Sequence, residues 1–148
     1  MIHRSAPLVL CILIELPFFA GCARKPQQPL VISTPSAVAD GKTIFQTGKD
    51  LAGTQIGANP APLYAACASC HKADGSGGMH LPGGATSADL RHKALGGGSH
   101  PYTQALLERA ISTGIDNEGK PLDKVMPRWT MSKTDLHDVA YYVLTQLK

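Results

Sequence analysis

Large aromatic side chains are scarce in this sequence: three Phe, four Tyr and one Trp serve 148 residues. A cofactor that brings its own apolar bulk would ease the shortage of core material. Dense basic runs are missing too, and a formal net charge of +3 is spread thinly, so nucleic-acid binding is a poor fit. Strand-like alternation of apolar and polar residues is absent, and the chain shows no internal repeat. No apolar run is long enough to span a bilayer; the segment from Ala6 to Ile14 is too short.

What is present begins with a leader. Residues 1–22, MIHRSAPLVLCILIELPFFAGC, combine Arg4 near the start, the short apolar run, and small residues before a cysteine. The ending FFAGC resembles the lipobox of bacterial lipoproteins. That resemblance implies removal of the leader, a lipid on Cys22, and a periplasm-facing position in the cell envelope, anchored to the inner or outer membrane. Residues 23–36, ARKPQQPLVISTPS, carry Pro and Gln without a period and read as a flexible linker. Fourteen residues at about 3.1 Å each would let a tethered domain reach roughly 40 Å to membrane-associated partners.

The cysteine count then becomes informative. There are four, Cys11, Cys22, Cys67 and Cys70. If Cys11 leaves with the leader and Cys22 carries lipid, an exported domain keeps one pair and no free thiol. One chemical task must account for both.

Residues 37–148 read as a single all-α domain of about four helices. Val38, Gly41, Ile44, Phe45, Gly48 and Leu51 recur at helical spacing in the first. A short helix holds LYAACASCH. Glycine-rich, irregular chain follows, through GSGG, LPGGATSADL and LGGGSHP. Pro101 opens the next helix, with Tyr102, Leu106, Ala110 and Leu107 inward and Gly114 as its stop. In the last, Ser132 and Asp135 form a capping box ahead of a stripe of Leu136, Val139, Ala140, Val143 and Leu147.

The chemistry lies in CASCH. On a helix, Cys67, Cys70 and His71 project to nearly one side. Two thiols so placed can bind both vinyl groups along one edge of a haem while the imidazole reaches the iron, and C-x-x-C-H is the sequence cue for that attachment. A structural zinc site wants four ligands, and His80, His92, His100 and His137 offer no second short-spaced pair. A thioredoxin-like dithiol wants a β-α-β setting, which this chain lacks. A thiol or metal-binding domain without haem therefore ranks last.

The chain resembles a class I c-type cytochrome over about residues 37 to 148, on GKTIF, CASCHKADGSGG, MPRW and DVAYYVLTQL. The resemblance implies a helical fold around one covalently bound haem c, with the first and last helices crossing at Gly41 against Tyr141 or Tyr142. The 21 residues between Phe45 and Cys67 exceed the smallest family members and imply an extended loop there. It further implies His71 as proximal ligand and a methionine opposite. Met126, followed by Pro127 in a turn-rich loop, matches the family's presentation; Met79, Met131, His80 and His100 remain the other choices. A proline carbonyl about a dozen residues on commonly holds the proximal imidazole, which points to Pro82. Trp129 and Arg128 follow the ligand loop closely enough to meet the haem edge or a propionate, with core filling and solvent as their ordinary alternatives.

The implied function is electron transfer between a donor and an acceptor protein, without catalysis. The alternative is a haem subunit of a membrane redox enzyme complex, or a ligand sensor with a displaceable sixth ligand.

Overall fold

A computed structural model describes residues 34–62 and 64–148. The leader 1–22 with Cys22, and linker residues 23–33, lie outside the described residues. Among the described residues, five α-helices carry the fold: α1 Thr34–Thr47, α2 Ala68–His71, α3 His92–Leu95, α4 Gln104–Thr113 and α5 Lys133–Gln146. Helix α1 takes in residues 34–36, which the sequence had placed in the linker. Helix α3 lies in chain that reads as irregular because one turn is too short to show a period.

Helix α1 ends where Gly48 turns left-handed at φ +70, so Leu51 leaves the stripe and stands 58% exposed. The buried face is instead Ala37, Asp40, Gly41, Ile44 and Phe45. In α4 the inward side is Leu107, Ala110 and Ile111 rather than Leu106, and left-handed Gly114 ends the helix as expected. The α5 capping box is formed, with Asp135 N–H donating to Ser132 Oγ at 3.1 Å and Ser132 N–H to Asp135 Oδ2 at 3.3 Å.

Helices α1 and α5 cross at Gly41, where a Cβ would fall 2.1 Å from the Asp138 carbonyl oxygen and 2.7 Å from Tyr142 Cβ. The expected crossing is therefore present, with Tyr142 rather than Tyr141 as the partner. Tyr142 also packs its ring on Phe45, 5.7 Å between centroids. Helices α3 and α4 pack on the same α5, whose buried Val139, Ala140 and Val143 tie them into one core.

Two short strands add to this helical frame. β1, Gly57–Asn59, pairs antiparallel with β2, Arg128–Thr130, in the register Ala58 opposite Trp129. Three residues apiece cannot display a period-two pattern, which is why neither is legible in sequence. β1 lies in the long segment between α1 and the CASCH turn, so that segment is built into the fold. A tight turn bonds Gly53 N–H to Asp50 O at 3.0 Å, and Ile56 is buried.

Candidate functional site

Helix α2 is a single turn. Cys67 has helical backbone angles just ahead of it, and the amides of Cys70 and His71 both donate to the Cys67 carbonyl, at 3.1 and 2.9 Å. This turn brings Cys67, Cys70 and His71 to the wall of one largely apolar cavity. Phe45 of α1, Leu107 and Ile111 of α4, and Val139 and Val143 of α5 line it too. The core side chains that pack the helices thus also form the cavity wall.

The same cavity is lined by Met126, Pro127 and Trp129. Of the alternative ligands, none joins them. Met79 is held in the 79–87 segment, its N–H donating to Ser87 Oγ at 2.9 Å and its carbonyl accepting from Ser87 N–H at 3.0 Å. Met131 packs on the core just before α5, while His80 and His100 are exposed. Trp129 is buried in the core and also lines the cavity.

The His71 ring is oriented by a backbone carbonyl, and here the Pro82 expectation fails. His71 Nδ1–H donates to Ala88 O at 2.8 Å, 17 residues on. Pro82 lies in an exposed 3₁₀ turn, Pro82–Gly84, at the tip of a small excursion closed by the His80–Thr86 bridge. That excursion lengthens the path, moving the carbonyl role from a proline to an alanine that carries no sequence signal. Buried Ser87 supports the same place by donating to Cys70 O at 2.8 Å. At Gly77, where φ is +59, a Cβ would fall 2.2 Å from Ala88 O, so this glycine serves close chain packing behind the histidine. Burial pushes the His71 pKa below its ordinary value and favours the neutral, metal-binding imidazole.

With Nδ1 committed to Ala88, Nε2 is the ring nitrogen left to a metal. The thiols are poorly suited to thiol redox chemistry. Burial pushes Cys67 up to about 12 and Cys70 above its usual value, whereas a reactive dithiol needs a stabilised thiolate. Among the described residues, no group of three or more His, Cys, Asp or Glu gathers to hold a metal ion unaided. An apolar cavity lined by two thiols, an imidazole and a thioether fits a haem.

The cytochrome c family matches residues 38–146. The chain belongs to that family. Its cofactor is therefore a covalently attached haem c. No curated protein matches the cytochrome by sequence. Among solved structures it is similar to oxidised SHP, an oxygen-binding cytochrome c, at 17% identity and a TM-score of 0.41, over 77% of this chain and 97% of that one.

Sequence reasoning missed several wall residues of the cytochrome. Pro62 and Tyr64 reach the cavity from the long segment after α1, and Leu81, Leu90 and Val125 from loops. Tyr64 is 46% exposed, so the cavity meets the surface beside it. Loop residues of this kind carry no periodic pattern, and only the folded chain brings them to the haem site.

Proposed function

We propose that the cytochrome is a single-haem electron carrier with His71 and Met126 as its two axial ligands, formed by residues 37–148 and tethered through a lipid on Cys22. The observation that carries this reading is the position of Met126 on the same cavity as Cys67, Cys70 and His71, which none of the other candidate ligands shares. When bound, haem supplies a one-electron iron couple. The chain's own residues do the rest. Cys67 and Cys70 hold the group by thioether bonds, and the Ala88 carbonyl fixes the His71 ring and raises its basicity. The soft Met126 thioether favours reduced iron and raises the potential relative to a second histidine. Apolar walls from Leu107, Ile111, Val139 and Val143 keep water from the site.

If His71 and Met126 both hold the iron, no coordination place would be left for a substrate, as a carrier requires. The lipobox-like leader and the linker support a periplasm-facing protein on the inner or outer membrane, exchanging electrons with membrane-associated donor and acceptor proteins.

The deciding experiment is Met126→Ala. Ferric wild-type protein is expected to show the weak long-wavelength band of sulfur–iron(III) ligation, and the variant to lose it. Reduced wild type should resist carbon monoxide, while the variant should bind it readily. A band that survives Met126→Ala refutes Met126 as the ligand, and ready carbon monoxide binding by wild type refutes the closed-carrier reading. Separately, Cys22→Ser should move the cytochrome from membranes to the soluble fraction, and retention on membranes would refute the lipid anchor.

A further inference from the structure

Arg128 stands two residues after Met126, and the sequence leaves its side chain a choice between a propionate and solvent. The half-buried side chain turns back onto the loop that carries Met126. Its Nη2 donates to Leu122 O at 3.0 Å, and its Nη1 donates to Met126 O and, at 3.4 Å, to Asp123 O. Behind these contacts the guanidinium lies directly on Gly114, where a Cβ would fall 1.8 Å from Arg128 Nε. The Gly114 carbonyl in turn accepts the Leu122 N–H at 2.8 Å. One planar cation therefore packs on the end of α4 and bonds carbonyls at the start and the end of the 122–126 loop.

The main chain of Arg128 is held as well. It opens β2 opposite Asn59 of β1, so the long segment after α1 fixes the backbone from which the guanidinium reaches. Pro127, with a fixed φ and no N–H, links this ribbon to Met126. Met126 is thus gripped from both sides, by the strand pairing that follows it and by the guanidinium that spans its loop.

We propose that Arg128 is a positioning residue that keeps the Met126 loop closed, so that the thioether resists displacement by competing iron ligands. The inference rests on Met126 being the distal ligand. Displacing the thioether requires the 122–126 loop to move away, and that motion must break bonds from a charged donor to its carbonyls, which are stronger than neutral ones. A foreign ligand binds only the open fraction, so its apparent affinity reports how far Arg128 holds the loop shut. Lysine, a single ammonium without the planar fork, cannot span carbonyls four residues apart.

The test titrates the full-length ferric cytochrome with imidazole and follows loss of the sulfur–iron band. Arg128→Gln should bind imidazole at least about tenfold more tightly than wild type. Arg128→Lys should fall between the two, and Lys93→Gln, an exposed change on α3, should match wild type. Melting temperature is read in parallel, because a residue that only supports the fold would lower it and leave imidazole affinity where it was. Should Arg128→Gln fail to yield haem-loaded protein, Arg128→Lys carries the test, with faster hydrogen exchange expected at the Leu122 and Met126 amides. Loss of the band in Met126→Ala together with wild-type imidazole affinity and wild-type exchange in the Arg128 variants overturns this inference alone. A band that survives Met126→Ala overturns the ligand assignment and this inference with it.

Discussion

Replacing Gly41 by alanine adds one methyl group at the crossing of α1 and α5, and its consequence can be worked through from the geometry. The new Cβ would stand 2.1 Å from the Asp138 carbonyl oxygen, 2.6 Å from the Asp138 carbonyl carbon and 2.7 Å from Tyr142 Cβ. All three atoms belong to the α5 backbone or its first side-chain carbon, so no rotamer change can clear the space. Carbon contacts settle at about 3.5–4.0 Å, so the helices must separate by roughly 1 Å at their closest point. Alanine itself favours the helix over glycine by about 1 kcal/mol. Against that, overpacking costs about 1–3 kcal/mol and occasionally more, and an unyielding backbone neighbour places this site at the upper end. Separation also loosens Phe45 against Tyr142, and Phe45 and Val139 line the haem cavity. A net loss of about 1–2 kcal/mol corresponds to a fall in melting temperature of roughly 4–9 °C for a domain of this size. Thermal unfolding of the ferric, haem-loaded variant, followed by far-ultraviolet circular dichroism, measures it. Lys42→Ala on the exposed face of α1 is the control and should stay within about 0.5 kcal/mol of wild type. A Gly41→Ala protein as stable as wild type, or more so, would refute the close crossing.

Three further outcomes are expected. Ser87→Ala leaves the Met79 N–H and the Cys70 carbonyl without their partner behind the CASCH turn, and should cost about 1–3 kcal/mol; an unchanged melting temperature would contradict that role. Burial, aided by the charges of Asp135, Asp138 and Asp50, pushes the Asp40 pKa above its ordinary value, although the Leu51 N–H bonded at 2.7 Å opposes the shift. The folded state then holds this proton more tightly than the unfolded chain, so the group's stabilising contribution is complete below the unfolded carboxylate range and is lost as pH rises through the raised folded value. Asp40→Asn should therefore stabilise the protein at neutral pH and do so less in acid, and a pH-independent effect on melting temperature would argue against it. In the double variant Cys67→Ser with Cys70→Ser, acidic organic solvent should strip any haem from the denatured chain while wild type retains it; retention by the variant would place the covalent bonds elsewhere.

Much of this was readable in order along the chain because some physical signals are local. The CASCH spacing sets two thiols and an imidazole on one helical turn whatever the rest of the fold does. The capping box at Ser132 and the left-handed stop at Gly114 depend only on neighbouring backbone groups, and both are formed. The Gly41 crossing came from the family resemblance rather than from periodicity, and the structure supplies its steric reason.

Tertiary structure decided whatever depends on distant pieces of chain meeting. Ala88, not Pro82, accepts the His71 proton because the 80–86 excursion changes which carbonyl lies behind the ring, and an alanine presents nothing but its backbone. The segment after α1 gained its purpose only by pairing with the residues that follow Met126, in strands too short to leave a pattern. Arg128 reaches backbone carbonyls because the 114–126 loop folds beneath it. Sequence by itself determined the chemistry that one helical turn can hold; the fold determined which groups surround that turn, since hydrogen bonds and packing between residues far apart in the chain exist only after it closes.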